Sequence, residues 1–398
     1  PRNRTRPFEH APCPGVKESW GDRGRALADV APQRQRLAFF PDEESPLHIA
    51  FLNSWYTDAA RGSGTAAAVS GLARGLESLG HRVTRVEPGL RAPGLTLRRL
   101  LYNAEFLFRP PAEGCDLLVG FDIDGFLLPA ARRRNFVLCL FGVSAEEMRF
   151  ERGWQRAYIW ALSRLEGRNA RRAGRVIVPS EHSRRAAIDA YALEPGRVAV
   201  VPLGIDLAAW DALAASASTR TEARPTILTV ARQYPRKNTR AIIAALPAVR
   251  REVPGVLLRV VGGGPMLPAL REQAADLGLS GAVEFLGAVS GDDAVRREFF
   301  QADVFCLPSL QEGFGLVFLE AMAAGLPIVA AAGAVPEVAP DGEAARLIPP
   351  GDDDALSAAL IGLLKDEEGR KRMRATGRAR ARRYDWGEVA HSFVQSVS

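Results

Sequence analysis

Two carboxylates, Glu312 and Glu320, flank seven residues that open with a glycine-rich turn, and theirs is the setting in the chain that most suggests chemistry. The apolar run 302–307 before them reads as a buried strand, and Gly325-Leu326-Pro327 after them reads as a helix stop. Gly313 and Gly315 permit the positive φ and close backbone approach that leave the first helical N–H groups free to hold an anion or a set of hydroxyls. Phe314 and Leu316 belong to the same turn and contribute backbone to it. Glu312 sits where its carboxylate can point at whatever those groups hold. Glu320 falls within an otherwise apolar helix, where an unpaired buried carboxylate is costly, so it should face a cleft or a polar ligand. The plainer alternative makes Glu312 a solvated loop acid and Glu320 an exposed helix acid.

A second constellation lies at Leu228-Thr229-Val230-Ala231-Arg232-Gln233-Tyr234-Pro235-Arg236-Lys237-Asn238, which leaves a strand and opens a helix. Arg232 and Lys237 share that turn, at a spacing where two cations can converge on a diphosphate near a helix N-terminus. Only four of the 52 basic residues are lysines, so a lysine in such a turn stands out. Gly262-Gly263-Gly264-Pro265 reads as a tight turn after another strand. Further upstream, Gly62-Ser63-Gly64-Thr65-Ala66-Ala67 has the glycine spacing of a dinucleotide fingerprint, with Glu87 downstream. Residues 53–61 separate these glycines from the preceding strand, which argues against a nicotinamide site. Asp122-Ile123-Asp124 has the form of a metal-binding D-x-D, but both acids are read as lining an acceptor cleft at a strand's C-terminal end. Cys13, Cys115, Cys139 and Cys306 and the five histidines show no pairing or ligand spacing, so no metal site is expected.

These residues need a scaffold. A chain of 398 residues, 47% apolar and 25% charged, suits two or three soluble domains. No run is long and apolar enough for a membrane span and no apolar leader opens the chain, so a cytoplasmic location is expected. Residues 1–46 read as a poorly ordered extension with one short helix near 23–30. In the domain 47–207, strands are expected at 47–52, 81–86, 116–120, 136–141, 175–179 and 198–201, with helices at 65–79 and 149–173. An Ala/Ser/Thr-rich linker is expected at 211–224. The domain 208–380 repeats the β/α pattern, with strands at 226–230, 256–261, 282–285, 304–307, 327–331 and 345–348 and helices at 354–364 and 368–382. The first half, 47–207, carries 22 arginines against 16 acids, whereas 208–398 is near balance with 22 basic and 23 acidic residues. Arg98-Arg99, Arg132-Arg133-Arg134 and Arg171-Arg172 would favour an acidic acceptor or an anionic membrane surface. No aromatic–basic interleaving points to nucleic acid.

The segment from Pro308 to Gly325 resembles the Glu-x7-Glu signature of retaining glycosyltransferases of the GT-B fold, the group 1 or family 4 type. The resemblance covers about residues 48–395 and is strongest in the second half. It implies an α/β fold of two Rossmann-like, doubly wound parallel-sheet domains facing across a cleft, closed by a helix at 381–398 that crosses back to the first domain. It also implies sugar transfer from a UDP-, GDP- or ADP-sugar to an acceptor hydroxyl with retention, no metal and no separate cofactor. Glu312 with the Gly313–Phe314–Gly315 backbone and Leu316 would hold the donor sugar, and Glu320 the ribose. Arg232 and Lys237 would neutralise the diphosphate, Gly64 would let the backbone approach the donor phosphate, and Val289 would line the nucleobase pocket. Asp122, Asp124 and Gly142 would lie on the acceptor side, the acceptor being lipid-linked or a polysaccharide. Ala334-Val335-Pro336-Glu337 resembles the family's Gly-x-Pro-Glu turn, read as a helix start. The chain departs from the family at Phe141-Gly142, where many relatives have a histidine, at Ala231 and Asn238, which replace glycines, and at Leu203, which replaces an asparagine. Those departures keep other readings open: a sugar-nucleotide epimerase or phosphorylase, or a non-catalytic binding relative.

Overall fold

Short aliphatic runs such as LLVGF, FVLC, VFCL and IVAA show no polar alternation, and each becomes a strand buried along its whole length, as a parallel sheet covered on both faces requires. The computed structural model of the protein describes residues 45–55, 64–90, 92–108, 111, 114–216, 222–332 and 337–398. The expected short helix near 23–30, Cys13, Gly62-Ser63 and Ala334-Val335-Pro336 lie outside them.

The first sheet contains β1 (His48–Leu52), β2 (Arg82–Val86), β3 (Leu117–Phe121), β4 (Phe136–Cys139), β5 (Arg175–Val178) and β6 (Val198–Val200), in the order β2-β1-β3-β4-β5-β6. Its helices are α1 (Gly64–Ser78), α2 (Leu95–Glu105), α3 (Ser144–Glu147), α4 (Gly153–Arg172) and α5 (Glu181–Tyr191), with α6 (Leu207–Ser216) leading out. The second sheet contains β7 (Thr226–Val230), β8 (Leu257–Val261), β9 (Val283–Gly287), β10 (Val304–Leu307), β11 (Ile328–Ala331) and β12 (Ala345–Ile348), in the order β12-β11-β10-β7-β8-β9. Between and after them run α7 (Thr239–Glu252), α8 (Leu267–Asp276), α9 (Asp292–Phe300), α10 (Leu316–Ala324), α11 (Asp353–Lys365), α12 (Glu367–Ala381) and α13 (Trp386–Val397). Every strand pair is parallel.

Two expected elements change. The first part of the expected linker, 211–216, belongs to α6, because alanine-rich sequence favours helix over coil, and 217–221 lie outside the described residues. The expected helix 149–173 is interrupted by a 3-10 turn at Met148–Phe150 and starts again at Gly153, whose φ of 55° suits glycine.

The arginine clusters also behave differently from a uniform basic face. Arg99 and Arg133 are buried: Arg99 lies beside Asp122 and Asp124, and Arg133 donates to the carbonyls of Gly125, Phe126 and Leu128. Arg171 donates to the Tyr191 carbonyl. Arg134, Arg171 and Arg172 stay exposed, and the rest of α4 adds Arg156, Arg164 and Arg168, which share its solvent side with Trp154 and Trp160, 83% and 55% exposed. Thr96 Oγ1 and Tyr158 OH, 2.7 Å apart, tie α4 to α2. The α2 region leaves Leu97, Leu100, Leu107 and Phe108 uncovered as well. No helix among the described residues is long and apolar enough to cross a membrane.

The last helix joins the first. Trp386, Val389, Phe393 and Val397 of α13 share one core with Ile49, Phe51, Leu72 and Leu76. Trp386 lies against Gly71, Gly75 and Gly204, where an added methyl would overlap its ring or backbone. Asp385 caps α13 by accepting from the Gly387 amide at 3.0 Å, and Ile205 N donates to the Tyr384 carbonyl at 2.7 Å beside it. Gly75→Ala should therefore push α13 off α1 at a cost of about 1–3 kcal/mol, since backbone cannot yield as a side chain does. A lower melting temperature and faster proteolysis within 386–398 would show it; an unchanged melting curve would refute the cradle.

Candidate active site

In an open parallel sheet, ligands bind beyond the strand C-termini where the strand order reverses direction. In the second sheet that point lies between β7 and β10. The turn after β7 carries Arg232 and Lys237, and the turn after β10 carries Ser309, Gln311 and Glu312, so topology alone brings the two constellations together. Lys237 Nζ donates to Glu312 Oε1 at 2.6 Å, and Ser309 Oγ donates to the same oxygen at 2.7 Å. The Lys237 and Glu312 side chains are only 15% and 9% exposed, so little solvent screens the pair.

The cation turn is held by backbone packing. Gly262, at φ 111°, lies so close to the Ala231 carbonyl that any Cβ would overlap it. Gln233, buried beneath the turn, braces it from within. Its amide donates to the Ala231 and Val261 carbonyls at 2.8 and 3.3 Å, and its Oε1 accepts from Thr239 Oγ1 at 2.7 Å. Pro235–Lys237 then form a single 3-10 turn, and Asn238 supplies the left-handed residue (φ 54°) from which α7 starts. Asparagine tolerates that conformation, so it can stand where the resemblance would imply a glycine. Arg232 stays exposed, with its guanidinium 5.7 Å from the Tyr234 ring and no carboxylate partner among the described residues. Arg236, one more arginine by its sequence alone, donates to Gln311 Oε1 at 3.2 Å and pairs with Glu147 at 3.0 Å.

On the acid turn, Gly315 has φ 83° and begins α10, with Phe318 packed where a side chain would go. Phe314 is buried edge-on to Tyr384, so only its backbone is available to a ligand. Leu316 is half-buried at the first helical position. Glu320 is half-buried one turn further along and has no hydrogen-bond donor among the described residues. Burial pushes its carboxyl up to about 7, against the opposing pull of Arg296. Val289 follows β9, half-buried against the core.

The first sheet reverses between β1 and β3. There, Trp55 Nε1 donates to Asp122 Oδ2 at 3.2 Å, and Arg99 lies 4.5 Å over the Trp55 ring. Asp122 takes a left-handed φ of 57°, and burial raises its carboxyl to about 6 despite nearby Arg99. Asp124 does not line the cleft. It is fully buried, accepts from Ser54 N and Oγ at 2.9 and 2.6 Å, and lies 3.7 Å from Arg99, so its role is to join β1 to β3. Gly142 stands beside Gly313: a Cβ on Gly313 would come within 3.0 Å of the Phe141 carbonyl and 3.6 Å of the Gly142 Cα. Gly64 opens α1 in open space, where a methyl group would meet nothing within 4 Å, and 53–63 intervene between it and β1.

The fold, with its two six-stranded parallel sheets, matches solved glycosyltransferases of the GT-B fold. Anabaena HepE in complex with UDP-glucose superposes with a TM-score of 0.69 over 88% of this chain and 99% of that one, at 22% identity. Residues 214–380 match the family Glycosyl transferases group 1, and residues 62–209 match Glycosyltransferase Family 4. The chain belongs to this glycosyltransferase family. A phosphatidyl-myo-inositol mannosyltransferase of Mycolicibacterium smegmatis is 39% identical over 227 residues, 56% of each chain. A GDP-mannose-dependent alpha-(1-6)-phosphatidylinositol monomannoside mannosyltransferase of Mycobacterium tuberculosis is 37% identical over 163 residues, 39% of this chain and 42% of that one. The matches thus span about half the length of these relatives, or less. In the family's terms, the Glu-x7-Glu segment is the β10–α10 turn and helix, and its first glutamate is the one paired with Lys237.

Removing Lys237 alone should leave Glu312 with a single donor in a poorly hydrated turn. The double variant Lys237→Ala/Glu312→Gln should therefore lose less stability than the two single variants summed, with a coupling of about 0.5–3 kcal/mol. Additive losses in a chemical-denaturation cycle would refute a coupled pair.

Proposed function

We propose that the protein is a glycosyltransferase that moves a hexose-type sugar from a nucleoside diphosphate sugar to an acceptor hydroxyl, with retention of anomeric configuration and with neither metal nor separate cofactor. The observation that carries this reading is the Lys237–Glu312 pair at the switch point, with exposed Arg232 on the same turn after β7 as Lys237. The two cations take the diphosphate, and the N–H groups at the start of α10 add partial positive charge. Among the described residues Glu312 meets protein donors through Oε1, which leaves Oε2 to accept from sugar hydroxyls. Glu320 accepts from the ribose. Transfer then rests on electrostatic stabilisation of the departing diphosphate as oxocarbenium character builds at the anomeric carbon. The acceptor attacks from the face the phosphate leaves, and the leaving phosphate oxygen takes its proton. Asp122 and Gly142 border the acceptor on the first domain.

The mannosyltransferase names among the relatives favour GDP-mannose as donor, and their phosphatidylinositol acceptors favour a lipid-linked acceptor here. The exposed face of α4 supports the second point. Interfacial tryptophans interleaved with arginines suit an anionic cytoplasmic membrane surface, with the enzyme working peripherally on it.

Calorimetric titration with GDP-mannose, UDP-glucose and ADP-glucose, followed by transfer assays on phosphatidylinositol vesicles, tests the reading. GDP-mannose should bind and be turned over, and Lys237→Ala should lose turnover by about a hundredfold or more. Nucleotide binding without sugar transfer to any acceptor would make the protein a binding relative; turnover without an acceptor alcohol would make it an epimerase.

A pH profile tests the ribose contact separately. A ribose that donates to Glu320 favours the carboxylate, so binding releases the proton held below about pH 7. GDP-mannose affinity should rise up to about tenfold from roughly pH 6 to 8, flattening above 7. Glu320→Gln should remove that slope; an identical slope in the variant would take Glu320 out of the site.

A further inference from the structure

The first and second domains meet at the N-terminus of α5, and this contact serves neither core. Ser180 caps the helix, its Oγ accepting from Ser183 N at 3.0 Å. Its hydroxyl proton is thereby free for another partner, and Ser180 Oγ donates to the Gly313 carbonyl at 2.7 Å. Ser183 Oγ donates to the same carbonyl at 2.8 Å. Both serines are about 1% exposed, so these hydroxyls have no water to fall back on. The first free N–H groups of the helix, on Glu181 and His182, donate to the two oxygens of Glu337 at 2.7 and 2.8 Å. A carboxylate there also meets the positive end of the helix dipole.

Glu337 is itself fixed from the far end of the chain. Arg380 Nη2 donates to the Glu337 carbonyl and Arg380 Nε to that of Val338, at 2.7 and 2.6 Å. Alongside, Arg236 of the cation turn pairs with Glu147 of α3, and His182 Nε2 lies 3.2 Å from Glu146 Oε2. One helix end of the first domain therefore grips the second domain twice. One grip falls on the residue next to Glu312, and the other on the segment after β11.

We infer that the α5 N-terminus is a closure latch, in which Ser180 and Ser183 are positioning residues that set the Glu312 turn only when the domains are shut and Glu337 seats the latch. This rests on the transfer reading for its kinetic consequence, though not for its structural one. The Gly313 carbonyl is held at two points, so the peptide that follows Glu312 has one orientation while the latch is engaged. Released, the turn keeps Lys237 and Ser309 on Glu312 Oε1 but loses its register against the Phe141–Gly142 wall. The latch thus couples domain closure to donor geometry without touching the donor.

The test uses the whole 398-residue chain and two variants, Ser183→Ala and Glu337→Ala, with Ser183→Thr as the hydroxyl-retaining control. Small-angle scattering reads closure directly and needs no turnover. Glu337→Ala and Ser183→Ala should each give a larger radius of gyration than the parent protein and Ser183→Thr, with melting temperatures nearly unchanged. With GDP-mannose and phosphatidylinositol vesicles, kcat should fall roughly tenfold in both alanine variants while donor KM shifts less than about threefold, and Ser183→Thr should recover kcat. Parental scattering and parental kcat in both alanine variants would overturn the latch. Opened scattering profiles in a protein that transfers no sugar would keep the latch and overturn the transfer reading.

Discussion

The ion pair between Lys237 and Glu312 is the interaction on which the rest of this structure turns. It joins the loops after two strands that are neighbours in space and far apart in sequence, and it does so where solvent is scarce. A poorly screened pair is strong only if both partners are placed, and the surroundings are organised to place them. Gly262 lets the β8 end press against the β7 end, and Gln233 fills the turn between them with amide hydrogen bonds. Gly315 turns the chain sharply into α10, with Phe318 packed behind it. Gly262, Gln233 and Phe318 do this without needing to touch a ligand. Each removes one way for the pair to drift.

The same constraint divides the two domains. The second puts its charge at the cleft on short, braced turns. The first buries part of its charge, with Arg99 beside Asp122 and Asp124, and Arg133 donating to three carbonyls and to Asn169 Oδ1. Burying such groups is tolerable only with near-complete hydrogen bonding, and Ser54 and Asn103 help to provide it around Asp124. The result is a braced wall beneath Trp55 in the first domain, while contacts from α5 hold the turns of the second.

Much of this is legible in the sequence. Strands buried on both faces write themselves as unbroken aliphatic runs, so 304–307 is placed to the residue; the edge strand 345–348 is placed as well, although its Arg346 is exposed. The turn glycines at 313 and 315 and the two glutamates announce themselves because few other chemistries explain them together. What escapes is long-range. Gln233 is an ordinary amide until β8 lies beside it. Ser180 and Ser183 look like a helix cap, which one of them also is. Glu337 looks like a helix-start acid, yet its carboxylate serves the start of a different helix in the other domain. Asp124 reads as a cleft-lining acid and Arg99 as part of a basic surface because composition cannot say which carboxylate finds a guanidinium indoors. The arginine runs mislead for the same reason: charge counts neighbours along the chain, whereas burial is decided across it.

The seating of Trp386 among Gly71, Gly75 and Gly204 has a consequence for how the molecule is made. The helix that completes the packing over α1 is synthesised after both sheets, while the strand and helix it covers, β1 and α1, precede nearly all of them. Until it emerges, the apolar side of α1 and β1 must wait for a partner that lies some three hundred residues downstream, from Gly71 and Gly75 to Trp386. The first domain therefore leaves the ribosome unfinished and exposes the surface that invites misassembly. A chain cut short before residue 386 would carry that exposed face permanently. In α13 the end of the chain thus supplies the first domain with a piece of its core, and that domain is not a complete folding unit without it.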